Sequence, residues 1–146
     1  MEDKYAPLRL RNQLCYPLYL CSKEITRLYQ PYLSELDLTY TQYIVMMYFW
    51  EIKESSEKEL SRTLMIDPST LTPVLKKLEK KEYLAKTRDE IDERRNIIRL
   101  TEKGENLQET ALSIPGKIGC CVGLSEEEAF ALGKLIGKIL TNIERN

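Results

Sequence analysis

"IDPSTLTPVLKKLEKKEYLAKTRDEIDERRNIIRL", residues 66–100, changes its hydrophobic period once, near the middle. Up to Tyr83 the apolar residues fall at Leu71, Val74, Leu75 and Leu78, the three-and-four spacing of a helix with one buried side. Asp67 or a following hydroxyl is the expected cap. Pro73 lies near the start, where missing amide donors matter least. Beyond Tyr83, "YLAKTR" and "NIIRLT" read as two strands joined by the charged tip "DEIDERR".

Upstream, "SSEKELSRTLM" carries Ser56 and Glu59 in capping-box spacing, with Leu60 and Leu64 facing inward. An earlier helix follows Thr39, and Tyr43, Met46, Met47 and Trp50 mark its inner face. The first helix has a stripe of Leu14, Leu18, Cys21, Ile25, Leu28 and Tyr32. Downstream, Leu107, Ala111, Ile114 and Ile118 share one side of a helix that Pro115 and Gly116 disturb. Ser125 and Glu128 form a second capping box before a last helix striped by Leu132, Ile136, Ile139 and Ile143. The order is α-α-α-α-β-β-α-α, a mainly α chain with a small β-hairpin wing.

Two short helices, a tight turn and a hairpin make a winged helix-turn-helix, a unit suited to duplex DNA. Its second helix fits a major groove and presents short polar side chains, here Asp67, Ser69, Thr70 and Thr72. Lys76 and Lys77 follow, where they can neutralise phosphates. The wing tip, with Arg94 and Arg95, can reach a minor groove, whose negative potential favours arginine. Asp92 and Arg94 are spaced to brace that tip. Residues 76–99 hold nine Lys/Arg against six Asp/Glu in a chain of net charge −1, which points to a local docking surface rather than a general polyanion binder. The outer helices carry more apolar surface than so small a centre can cover. A symmetric dimer is therefore expected, with residues 1–36 and 102–146 as the helical dimerisation region and 37–101 as the DNA-binding domain. Such a dimer would meet a pseudo-palindromic operator.

The 146 residues contain no histidine, which excludes Ser-His and Cys-His nucleophile chemistry, so no enzyme is expected. No run of 18 apolar residues occurs, and "MEDKYAPLRL" does not read as a signal peptide. A cytoplasmic chain with reduced thiols and no membrane partner is the expectation. Cys15, Cys21, Cys120 and Cys121 lack the spacing of a zinc site, so neither metal nor other cofactor is anticipated.

"LTYTQYIVMMYFWE", "LMIDPSTLTPVLKKLEKKEYL" and "RDEIDERRNIIRLTEKG" closely resemble the MarR family of winged-helix regulators. Within it, "NQLCYPLY", "DLTYTQY" and "DPSTLTPVLKKLE" resemble the organic-hydroperoxide repressors, the OhrR subgroup. The resemblance spans almost the whole chain. It implies a homodimeric repressor that senses organic hydroperoxide through Cys15 and releases its operator. It also implies that Tyr19 lies a turn from the sulfur, and that Tyr29 and Tyr40 reach it from the partner subunit. The DNA positions matched are Ser69, Thr70, Thr72 and Arg94. "SIPGKIGCC" resembles the region that carries a resolving cysteine in the two-cysteine branch. Cys120 matches best, with Cys121 as a possible substitute. Two residues depart from the pattern. Pro68 stands where a first-turn proline is tolerated. Pro17 either kinks the helix beside Cys15 or begins a new helical segment, whose free amides would favour a thiolate.

Helix geometry separates the two early cysteines. Cys21 lies on the apolar stripe and reads as a small core residue. Cys15 lies one step around the helix, on the side of Tyr19 and Tyr29. Phenols that donate to a thiolate favour that reactive form. The alternative for these tyrosines is packing at a dimer seam. For Cys120 and Cys121 it is helix-end filling. Two other functions stay open at this point: a regulator released by a small phenolic or drug-like ligand, and a thiol peroxidase. The latter leaves residues 67–100 without a purpose.

Overall fold

The computed structural model describes residues 3–89, 91–92 and 96–144. It divides into two compact units, residues 1–113 and 114–146. The first contains α1 (Cys15–Glu35), α2 (Tyr40–Ile52), β1 (Glu54–Ser56), α3 (Glu57–Leu64), α4 (Pro68–Lys80), β2 (Leu84–Arg88), β3 (Asn96–Leu100) and α5 (Glu102–Ala111). The second contains α6 (Ile114–Val122) and α7 (Glu126–Glu144).

α2 is the centre of the first unit because nearly all of its faces find cover. Tyr43, Val45, Met46, Phe49 and Trp50 are buried along it, and it touches α1, α4, α5, β1 and β3. A reciprocal capping box starts it. The Gln42 amide donates to Thr39 Oγ1 at 3.2 Å, and the Thr39 amide donates to Gln42 Oε1 at 3.1 Å. Met47, expected inside, is 39% exposed. It follows Met46 by about 100° of helix turn, so the two cannot share one face. Val45 and Phe49 take the inner positions instead.

α3 and α4 form the helix-turn-helix. Ser56 Oγ accepts from the Glu59 amide at 3.2 Å, as its spacing suggests. The turn between the helices is made at Met65, whose φ of 53° lies in the left-handed region. Asp67 holds the N-cap position of α4 but its side chain caps nothing. Its backbone carbonyl accepts from the Thr70 amide at 3.0 Å, so that donor is already occupied. Pro68 fills the first helical position. Leu71, Leu75 and Leu78 face inward from α4 and meet Leu60 of α3 and Leu84 in one core.

The expected hairpin is part of a three-stranded sheet of order β1-β3-β2. β3 pairs antiparallel with both neighbours, placing Ile98 opposite Ser55 on one side and Lys86 on the other. Sequence reading missed β1. "ESS" has neither the β-branched content nor the alternation of a strand, and it becomes one only through pairing with β3.

α5 begins at Thr101, whose Oγ1 accepts from the Gly104 amide at 3.0 Å. Gly104 lies against the residue that leads into β2: a Cβ there would collide with the Tyr83 carbonyl oxygen. Its own carbonyl accepts from Trp50 Nε1 at 2.8 Å, which ties α5 to α2. The helix expected to run from Leu107 to Ile118 is two helices, α5 and α6. Pro115 has no amide to donate to Ala111, and its ring clashes with that carbonyl, so α5 ends there. In the second unit, Ser125 and Glu128 form the expected box: the Ser125 amide donates to Glu128 Oε2 at 2.9 Å and the Glu128 amide to Ser125 Oγ at 3.2 Å. No helix of the described residues is long and apolar enough to cross a membrane.

Candidate sensor and nucleic-acid interface

Cys15 is the first residue of α1. Pro17 therefore occupies the third position of the first turn and kinks nothing, because the amide it lacks would have had no helical acceptor. The proline inside α1 is Pro31. Cys15 thus sits at the N-terminus of α1. Its side chain is exposed, and Tyr19, one turn on, is 65% exposed. Leu14, Leu18 and Leu20 nearby are exposed, as is Leu28 further along, and Leu33 is the one buried residue of α1. Cys21, read as core, is exposed as well. Of the stripe it belongs to, Leu14, Leu18 and Leu28 are exposed too, while Ile25 and Tyr32 are half-buried.

Tyr29 and Tyr40 are brought together. Their rings lie 5.0 Å apart, and Tyr43 joins at 5.7 Å from Tyr29. Burial, then the neighbouring phenol of Tyr40, pushes the Tyr29 hydroxyl above its ordinary titration range. Tyr43 is raised by burial first and by Tyr29 and Tyr40 next. Both stay protonated, and so remain hydrogen-bond donors, well past neutral pH. They do not reach Cys15 of the same chain. Tyr29 lies 14 residues further along the same helix, roughly 21 Å at 1.5 Å per residue.

Cys120 and Cys121 lie in α6, in the second unit, and both are exposed. A Cβ at Gly116 or Gly119 would meet no atom within 4 Å, and Gly123 has a φ of 69° that suits glycine. α7 buries none of its described residues; Phe130, Leu135 and Ile143 are 67%, 62% and 62% exposed.

On the opposite functional half, α4 presents Asp67, Ser69, Thr70, Lys76 and Lys77 to solvent. Thr72 is different: its hydroxyl lies within hydrogen-bond reach of the Glu57 carboxylate and, at 2.8 Å, of the Pro68 carbonyl. Arg94 and Arg95, and with them the pairing expected between Asp92 and Arg94, lie outside the described residues.

Sequence reading missed Glu57, because its partner Thr72 is 15 residues away and no local spacing connects them. It also missed Lys81, which follows α4 and reaches back 44 residues to Asp37. Its ammonium pairs with Asp37 Oδ2 at 3.0 Å and lies 3.5 Å from Gln42 Oε1. The end of α4 is thus fastened to the α1–α2 corner that carries Tyr40.

Comparison with known proteins agrees with this architecture. Residues 27–110 match the family model for the transcriptional regulators SarA/Rot. The organic hydroperoxide resistance transcriptional regulator of Bacillus subtilis is 40% identical over 144 residues, 99% of this chain and 96% of that protein. The HTH-type transcriptional regulator SarZ of Staphylococcus aureus is 45% identical over 129 residues, 88% of this chain and 84% of its own. Among solved structures, reduced AbfR bound to DNA superposes with a TM-score of 0.78 at 30% identity, covering 97% of this chain and 99% of that one; AbfR is a protein of Staphylococcus epidermidis.

Proposed function

The chain belongs to the MarR family of winged-helix transcriptional regulators, in the branch of the organic-hydroperoxide and SarA/Rot regulators, and from that premise we propose that it is a homodimeric repressor of operator DNA, released when organic hydroperoxide oxidises Cys15. The observation that carries this reading is the position of Cys15. It is exposed at the first turn of α1, one turn before Tyr19, on a face that also exposes Leu14 and Leu18.

A second copy laid on that face would cover α1 and could bring its Tyr29–Tyr40 pair to the sulfur. Both pairs of a dimer would then serve the other subunit's thiol. In this division residues 1–36 and 102–146 form the dimerisation region and 37–101 read DNA through Ser69, Thr70, Lys76, Lys77 and the wing arginines Arg94 and Arg95. The relatives are transcriptional regulators, and this chain acts likewise by binding, each sulfur reacting once per release rather than turning over.

The chemistry balances in two steps. The Cys15 thiolate attacks the terminal oxygen of ROOH. An S–O bond forms, the O–O bond breaks, and the alkoxide takes a proton to leave as ROH, with a sulfenic acid on Cys15. The thiol of Cys120, or of Cys121, from the partner subunit then displaces hydroxide. An S–S bond forms and water leaves. Moving an operator complex from 99% bound to 1% bound requires about 5.5 kcal/mol of preference between the two states, and a disulfide across the dimer supplies a constraint only the oxidised form feels. Fluorescence anisotropy on promoter fragments tests the reading. The reduced protein should bind and cumene hydroperoxide should release it, while Cys15→Ser should bind and stay bound. Release of Cys15→Ser by the peroxide sinks the proposal.

A further inference from the structure

We infer that Glu57 is the positioning residue that sets the recognition helix α4 against the wing, and that Thr72 serves this junction rather than reading a base. This rests on the DNA-binding reading above and assigns a role inside it.

The argument starts from one proton. A threonine hydroxyl has a single O–H to donate and two lone pairs to accept with. Thr72 Oγ1 faces two acceptors, the Glu57 carboxylate and the Pro68 carbonyl one turn back in α4. A carboxylate is the stronger acceptor, so the proton goes to Glu57. Thr72 then has no donor left for a base edge, unlike Ser69 and Thr70, which are exposed one turn earlier.

Glu57 uses its other oxygen on a different element. Oε2 stands 3.7 Å from Nζ of Lys86, on the wing strand β2. Glu57 itself opens α3. One carboxylate therefore joins three elements that sequence separates: the start of the first helix of the motif, the recognition helix and the wing. The groove beside it, about 690 Å3, is lined by Ser56, Glu57, Lys58, Glu59, Arg62 and Asn96. An acid is a poor choice on a surface that meets phosphates, where its charge opposes binding. At this junction it gains instead by fixing the angle between the two parts that enter adjacent grooves.

A residue acting this way affects which sequence is preferred more than how strongly DNA is held. The test uses the reduced, full-length protein and a duplex selected with it from a randomised pool. Affinity for that duplex and for a scrambled one is measured across a salt series. Glu57→Ala should cut the ratio of the two affinities about tenfold. Thr72→Val, which keeps the side chain's shape and removes the hydroxyl, should do the same with an unchanged salt slope, since no phosphate contact is lost. The double variant should be no worse than either single one, and Glu57→Gln, which still accepts from Thr72, should recover part of the ratio. Additive losses in the double variant, or full discrimination in Glu57→Ala, overturn the inference. Should Glu57→Ala lose its fold, judged by circular dichroism, Thr72→Val with Thr72→Ser as the hydroxyl-restoring control decides alone: Val must lose the ratio and Ser must keep it. Failure of the wild-type protein to prefer any duplex would instead sink the DNA-binding reading itself.

Discussion

The rings of Tyr29 and Tyr40 meet 5.0 Å apart at a tilt of 57°, one from α1 and one from the first turn of α2. Tyr43 extends the cluster to Trp50, with ring centroids 6.1 Å apart. Phenols packed this way lose hydration and crowd each other's charge, so both Tyr29 and Tyr43 titrate above the ordinary value of 10.0. The sign of the linked stability follows. Near and above pH 10 the unfolded chain releases these protons first, so the folded chain binds more of them. Stability is then fully present below about pH 10 and falls as pH rises beyond it. Tyrosinate absorbance in native protein should show a late-titrating fraction that moves to the ordinary range in denaturant. Tyr29→Phe should shrink that fraction. A native titration in which every tyrosine ionises in the ordinary range would contradict the cluster's burial.

The two ends of the sulfur chemistry separate by variant. After stoichiometric cumene hydroperoxide, the wild-type chain should run as a covalent dimer on a non-reducing gel. Cys15→Ser should give none. Cys120→Ser with Cys121→Ser should also give none, but intact mass should then report one oxygen, or one added cellular thiol, on Cys15. A covalent dimer that persists in the double variant would remove Cys120 and Cys121 from the scheme.

Lys81 closes the corner between α1 and α2 onto the end of α4 through Asp37 and the Gln42 amide oxygen. The Lys81 side chain is 25% exposed but that of Asp37 is 88% exposed, so solvent screens the ion pair. Lys81→Met keeps the aliphatic stem and removes the donors. Urea unfolding should show a loss of about 0.5–1 kcal/mol, and operator affinity in the reduced state should fall with it. An unchanged midpoint would mean that the corner holds without the ammonium.

Gly104 has no room for a side chain, since a Cβ there would collide with the Tyr83 carbonyl oxygen. Gly104→Ala must push β2 and α5 apart, at a cost of about 2–3 kcal/mol. Trp50→Phe leaves the Gly104 carbonyl without its indole donor and should cost about 1–3 kcal/mol. Thermal melts of both variants check this. Because both changes strain one junction, the double variant should lose less than the sum.

Much of this fold was legible residue by residue. The helices from Thr39, Ser56 and Ser125 start where short polar side chains can cap them, and the change of period at Tyr83 marks the wing. These signals act over three or four residues, so a linear reading captures them. The spacing of Leu71, Val74, Leu75 and Leu78 identified the inner face of α4 for the same reason, though Val74 lies at its edge and is half-buried. The sensor was legible only in part. Cys15 and its tyrosines stood out by spacing and resemblance, but Pro17 left the start of α1 open between a kink and a new beginning.

Tertiary structure decided what depends on distant partners. β1 is a strand because β3 pairs with it, 45 residues away at Glu54 and Arg99. Cys21 is exposed although α1 packs on α2 and buries Leu33, a fact about packing and not about periodicity. Thr72, a candidate base reader by its spacing, has the Glu57 carboxylate beside its hydroxyl, and Lys81 finds its acceptors 44 residues upstream. Local sequence sets which segments coil or extend, since backbone hydrogen bonds and caps close within a turn. Which hydroxyl is free and which cysteine is covered depend on atoms that meet only when those segments pack, and no periodicity encodes that.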